Sequence, residues 1–327
     1  MKKLAVLTFV ALSFLSCKET SKKETQAILS ESNGKINNVS IIIDDNLWNG
    51  EIGDSIRKKF AAPVDGLPQE EPLFTLNQYP TKVFEGFVRK SRNIIIVKKG
   101  KEAGFSSNTN KFAKPQNVFF ISGTDTEDVL NVLEEKSAEI IKTIKAAEVT
   151  ENQIRMKKSL VSDAQVQKMF GVSLQIGFGY KYDMVKDNFI WLRKEFKSGY
   201  NSILIYQVPI EKVEKDNNII TNITAMRDEV GKANIHGTLP NTWMITEAAY
   251  APYLFDVTVA GKKTYLTKGT WELKNDFMAG PFVNYAIKDT KNNRYLIIEG
   301  CTYNPSKSKR DLVFELEAII QSVKFLK

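Results

Sequence analysis

The sequence has one histidine, His236, and two cysteines, Cys17 and Cys301. A single imidazole excludes HExxH zinc sites and multi-histidine metal centres, which need at least two. It also leaves most histidine-based pH switches without their titrating group. A Ser-His-Asp triad would have to recruit His236, which lies in the loop-like stretch "NIHGTLPN" with Gly237 and Pro240. Neither a GxSxG elbow nor a Walker GK[ST] run accompanies it. No cofactor and no metal are therefore expected. The chain also lacks any apolar run of about 20 residues, the length a membrane-spanning helix needs.

What the N-terminus does have is a short apolar run, Leu4 to Leu15, behind Lys2 and Lys3. A basic start followed by a short apolar core has the shape of an export signal. The run ends Phe14-Leu15-Ser16-Cys17, which resembles a bacterial lipobox. That resemblance implies cleavage after Ser16 and acylation of Cys17. Residues 1–16 are thus expected to be a lipoprotein signal peptide. Residues 17–38 are the acylated cysteine and a polar, flexible tether, and the chain is lipid-anchored in the outer membrane, with its periplasmic or surface face open. Cys301, in the apolar run "YLIIEGCTY", then has no partner for a disulfide and reads as a small buried hydrophobe. The charge balance is +8 (46 Lys+Arg against 38 Asp+Glu). Without a nucleic-acid motif, this suits anionic lipid or lipopolysaccharide near the anchor better than nucleic acid.

The remaining length has room for about two domains. In residues 39–158, "VSIIID", "PLFTL", "NIIIVKKG" and "NVFFISG" read as strands. "EIGDSIRKKF" carries Ile52, Ile56 and Phe60 at helical spacing. "TKVFEGFVRKSR" puts Phe84, Phe87 and Val88 on one helical face behind a Thr81 cap. Thr124 to Glu127 forms a capping box before a long helix bearing Val129, Leu133, Ile140, Ile141 and Ile144. The order β-α-β-α-β-β-α predicts an α/β sandwich. In residues 159–327 a short helix after Ser162 gives way to a series of strands, "VSLQIGF" through "RYLIIEGCTY". A helix near Thr224 to Asn234 interrupts them, and the helix "DLVFELEAIIQSVKF" closes the chain. This half is expected to be α+β, a mostly antiparallel sheet with packed helices.

The stretches "DDNLWNGEIGDSIR", "FAKPQNVFFISG", "DNFIWLRKE" and "KGTWELKNDFMAGPFVNYAIKD" resemble an uncharacterised lipoprotein family of the Bacteroidetes, known only as a domain of unknown function. That likeness implies no activity. The cadence of "VSLQIGFGYKYDMVKDNFIWL", later strands and a terminal "IIQSVKF" is similar to the PsbP-type fold, which implies a binding or assembly module.

Three clusters are candidate binding sites. Asp44, Asp45 and Trp48 follow the first strand, where open α/β sheets hold ligands. The same acids also suit helix caps and turns. Phe277, Met278 and Phe282 surround Gly280-Pro281, as an aromatic lip or as a hairpin whose rings fold inward. Lys307, Lys309 and Arg310 open the last helix, where cations oppose the helix dipole. The leading expectation is a non-enzymatic envelope module for a protein or glycan partner. The alternative is a carboxylate-dependent hydrolase or carbohydrate-active enzyme using Asp44, Asp45 or Glu51. The anchor gives the first test. Cys17→Ala should abolish palmitate labelling and leave an uncleaved or soluble product, and unchanged labelling and membrane retention would refute lipidation.

Overall fold

Near-continuous apolar runs such as Ile41 to Ile43 and Ile94 to Val97 can be satisfied only by burial on both faces, the condition of parallel strands. The computed structural model of the protein, which describes residues 29–326, places them so. Residues 1–28, with the signal and Cys17, lie outside the described residues. The first half runs β1 (Asn38–Ile42), α1 (Asp45–Trp48), α2 (Glu51–Phe60), β2 (Thr75–Tyr79), α3 (Gly86–Arg89), β3 (Asn93–Lys99), β4 (Gly104–Thr109), β5 (Asn117–Gly123) and α4 (Thr126–Met156). Its five-stranded sheet has the order β2-β1-β3-β5-β4. All neighbours are parallel except β4, which runs antiparallel to β5.

One face of this sheet packs on α2 and α4, with Ile52, Ile56, Phe60, Leu133 and Ile140 against Val39, Ile41, Ile95 and Phe119. The other face has no long helix. Ile42, Ile94, Ile96 and Val118 are covered by Phe84, Val88, Phe112 and Phe120. The helix expected over residues 81–92 is split into a 3₁₀ turn, Thr81–Val83, and α3. Gly86, at φ 50°, accounts for the break. The long helix starts one residue later than the expected box. Asp125 Oδ1 accepts the Asp128 N–H (3.0 Å), and Asp128 in turn accepts from the Thr124 N–H and hydroxyl. The strand β4 was not expected from the sequence. It is a polar edge strand without apolar alternation, so its pattern carries no period-2 signal.

The second half runs α5 (Ala164–Phe170), β6 (Val172–Ser173), β7 (Lys181–Lys186), β8 (Phe189–Phe196), β9 (Gly199–Pro209), α6 (Ile210–Glu214) and α7 (Ile219–Asn234). It continues through β10 (Met244–Thr246), β11 (Tyr253–Val259), β12 (Lys262–Leu273), β13 (Ala279–Asp289), β14 (Arg294–Tyr303), α8 (Arg310–Ile320) and β15 (Lys324–Phe325). The antiparallel sheet has the order β10-β12-β13-β14-β9-β8-β7, with β11 also beside β12. Alternation decides which residues meet which helix. Ile203, Ile205, Val283 and Ile298 face α8 and α5, while Leu204, Tyr206, Phe282 and Ile297 face α7. Gly300 lets α8 approach, since a Cβ there would stand 2.7 Å from that of Leu316. The fold is thus an α/β sheet followed by an antiparallel α+β sheet.

Three sets of polar contacts fix the frame. Glu148, fully buried in α4, accepts from Arg92 Nε (2.7 Å) and Nη2 (3.0 Å), from Asn93 Nδ2 (2.6 Å) and from the Asn37 N–H (2.8 Å). In the other half, Arg227 of α7 makes a bidentate pair with Glu299 of β14, both oxygens at 2.7 Å. At the seam, the Glu71 carboxylate accepts the N–H groups of Lys309 (2.6 Å) and Arg310 (2.9 Å). One half therefore caps the last helix of the other. Residues 30–37, counted above with the tether, lie along the first sheet, with the Asn33 and Arg92 backbones paired to Lys90 and Asn33.

Removing one partner of a buried pair leaves the other charge uncompensated. Glu148→Leu should therefore lower the unfolding free energy by about 3–5 kcal/mol in urea denaturation. A loss below about 1 kcal/mol would mean that Arg92 is compensated by Glu151, 3.7 Å from its Nη1, or by water. Glu71→Ala should lower stability by about 1 kcal/mol through loss of the cap. Lys307→Ala, at an exposed position, should leave the melting temperature unchanged. Equal effects of these two would contradict the capping role of Glu71.

Candidate functional site

Along β1 and β2 polar residues alternate with apolar ones. Asn38 and Ser40 sit beside Val39 and Ile41, and Thr75, Asn77 and Tyr79 occupy every second position of the neighbouring strand. Period 2 places these five on one face. It is the face that has no long helix, and its covering segment stops short of them. The result is a groove of about 520 Å³. Its floor is Asn38, Ser40, Thr75, Asn77 and Tyr79, its walls are Asn33, Gly34, Lys35, Phe87 and Ser91, and Arg310 and Asp311 of α8 close one end. Both halves of the chain thus build it.

The walls are held from below. Arg92 donates from Nη1 to the Gly34 carbonyl (3.3 Å) and from Nη2 to that of Lys35 (2.9 Å), while Nε and the second N–H of Nη2 hold Glu148. Asn33 Nδ2 donates to the Phe87 carbonyl (3.0 Å), and Ser40 Oγ lies 2.9 Å from Ser91 Oγ. Gln116 Nε2 donates to the carbonyls of Arg89 and Ser91, and its Oε1 accepts from Phe112 and Ala113. These bonds fix the backbone that presents Phe87, whose side chain remains 71% exposed. Chemically the groove offers amide and hydroxyl groups that both donate and accept, the rings of Tyr79 and Phe87, the Lys35 ammonium on one wall, and the Arg310–Asp311 ion pair at one end.

The sequence-predicted residues divide. Of the nine binding candidates only Arg310 lines this groove. Asp44 and Asp45 are exposed at the opposite end of β1 and stabilise turns. Asp44 Oδ1 accepts the Thr81 N–H (3.2 Å), and Asp45 Oδ1 accepts Gln78 Nε2 (2.9 Å). Trp48, expected to be exposed, is half-buried against the first core, with the Arg57 guanidinium 4.5 Å from its ring centroid. Phe277 is fully exposed at the β12–β13 turn, and Met278 is half-buried. Phe282 does not belong to an aromatic lip. It is buried, because its place in β13 points it inward, where the Arg227 guanidinium lies 3.5 Å from its ring centroid. Lys309 is also buried, its Nζ 3.1 Å from Gln69 Oε1, so the cation expected to reach outward joins the two halves. Lys307 is exposed. His236 is exposed, and its backbone bridges to Trp243. Cys301 is buried as expected, and burial followed by the nearby Glu299 charge pushes its thiol pKa up. Among the described residues no three His, Cys, Asp or Glu side chains converge as metal ligands do.

Comparison with known proteins adds family membership. No curated protein matches the chain. Among solved structures, the Ran-binding protein Mog1p of Saccharomyces cerevisiae is 9% identical, with a TM-score of 0.32 over 48% of this chain and 91% of that one. A point mutant of the protein Mog1 is 10% identical, with a TM-score of 0.31 over 48% and 92%. Likeness at this level supports no argument about fold or function. Residues 32–157 match a domain of unknown function, DUF8532. Residues 159–322, half of the chain, match the domain of unknown function DUF4837. The chain therefore belongs to the DUF4837 family.

Proposed function

We propose that this protein is a lipoprotein of the bacterial envelope, tied to the outer membrane through Cys17, that acts as a binding module rather than an enzyme. Its ligand is a glycan chain held in the groove between the two halves. The observation that carries this reading is the lining of the groove. Asn38, Ser40, Thr75, Asn77 and Tyr79 are uncharged groups, and the exposed Phe87 ring stands on the wall above them. A sugar presents a rim of hydroxyls, each needing a donor and an acceptor, around a flat face of C–H bonds. Amides and hydroxyls meet the rim, and an aromatic ring meets the face.

The position of the acids also supports binding over hydrolysis. Asp44 and Asp45 engage Thr81 and Gln78, and Glu51 is exposed in the first turn of α2. They lie beyond the far end of β1 from the groove, where the one carboxylate in the lining, Asp311, already accepts from Arg310 Nε (2.9 Å) and Asn37 Nδ2 (3.0 Å).

The test is calorimetric titration with soluble fragments of envelope polymers, both lipopolysaccharide core oligosaccharide and peptidoglycan glycan strands. One of them should bind saturably. Phe87→Ala should weaken that binding at least tenfold, the loss expected for an aromatic anchor worth about 2 kcal/mol, with little change in melting temperature. Absence of binding to either polymer, or an unchanged affinity in Phe87→Ala, would reject the glycan reading. Turnover of the polymer on incubation would reject the non-enzymatic one.

A further inference from the structure

A second cavity, of about 280 Å³, opens where α4 meets α8 and the β11–β12 hairpin. It shares no residue with the groove described above. Leu266 and Phe314 give it apolar walls, and the buried Tyr285 lines it. Three ionised side chains face it: Lys145 from the first half, and Lys268 and Glu317 from the second. Lys268 Nζ and Glu317 Oε1 are 2.7 Å apart and only 13% exposed each, so they neutralise one another. Lys145, exposed at the mouth, has no salt bridge among the described residues. The cavity therefore has one unpaired positive charge at its mouth, beside the apolar walls that Leu266 and Phe314 form.

Burial and then the Lys268 ammonium lower the Lys145 pKa, and Glu317 offsets them only in part. Asp65, which does not line the cavity, pulls the same way as Glu317 and contributes least. A bound anion would remove the imbalance without disturbing the Lys268–Glu317 pair. Its size is limited too, since 280 Å³ corresponds to roughly nine water-sized units.

We propose that this cavity binds a small amphipathic monoanion, a carboxylate with a short hydrocarbon tail, the carboxylate on Lys145 and the tail between Leu266 and Phe314. A carboxylate is preferred to a phosphate monoester because the site carries one net charge, and a phosphate brings about 1.5 to 2.

The probe is sodium octanoate, titrated by calorimetry into the full mature chain. Acetate supplies the head alone, octylammonium the tail with the opposite charge, and octyl phosphate the rival head. Octanoate should bind once per chain, and each of the others more weakly by about tenfold or more. Lys145→Met, at an exposed helix position, should cost octanoate about tenfold in affinity. Ala146→Phe keeps all three charges but fills the mouth, and should abolish binding. The assignment is overturned if octanoate does not saturate, if acetate or octylammonium binds as well, or if octyl phosphate binds better. It is also overturned if both variants bind octanoate like the parent chain.

Discussion

The first half of the chain depends on one buried carboxylate. Glu148 sits about two turns from the C-terminal end of α4 without access to water, and an isolated ion there would be strongly disfavoured. It is tolerated because donors from three residues converge on it: Arg92 and Asn93 at the start of β3, and the Asn37 N–H just before β1. Each contact fixes something else. The Arg92 guanidinium has nitrogens left to hold Gly34 and Lys35, and these form a wall of the groove. The depth of α4 against the sheet, the register of the strand starts and the position of that wall are therefore set by the same ion. This is a constraint on geometry more than a source of stability, since a buried pair gains little over apolar packing of the same volume.

The second half repeats the device with Arg227 and Glu299, joined by Asn284 Nδ2 at 2.7 Å from Glu299 Oε2. The seam uses different physics. A helix begins with unsatisfied N–H groups and a partial positive charge, and α8 adds Lys309 and Arg310 to that end. The carboxylate of Glu71 meets two of those N–H groups, so the unfavourable basic start of α8 becomes a reason for the halves to dock. Arg310 extends the contact to the Pro72 carbonyl (2.9 Å) and the Thr75 hydroxyl. Thr75 also lines the groove, so the seam and the site share residues.

Much of this architecture was legible wherever burial enforces a pattern. "NIIIVKK" reads as a buried strand because both of its faces are covered, and "DLVFELEAII" reads as a helix because one face is. The polar edge strand β4 left no such trace. Glu148 left one that was easy to pass over. It continues the spacing of Ile140 and Ile144 along α4, so a charge at the next core-facing position already required a buried partner. Arg227 stands in the same relation to Ile223 on α7. The candidate site was harder to see, because charge and aromaticity drew attention to Asp44, Phe282 and Lys309. Those residues prove to be a turn, a core ring and a seam contact. The groove is lined by Asn, Ser and Thr, types common at any surface. Only their alternation along two adjacent strands distinguishes them, and adjacency is set by tertiary pairing that the sequence does not display.

Why the opening lies at the start of β1, and not beyond its carboxyl end as in most open α/β sheets, follows from the connections. The carboxyl end is occupied by α1 and α2, with Gln78 and Asp45 bonded across it. On the opposite face the β2–β3 connection contains only a 3₁₀ turn and the four-residue α3. That is too short to cover the width of the sheet. It covers Ile42, Ile94, Ile96 and Val118, where exposure would cost most, at roughly 25 cal/mol per Å² of apolar surface. Asn38, Thr75 and Asn77 can face water at little cost, and the cover ends at Ser40, buried against Ser91, where the strands turn polar. The groove is thus a consequence of a short connection laid over a face whose composition changes along its length. Arg310 and Asp311, brought in by the seam, then turn an open strip of sheet into a site with an end.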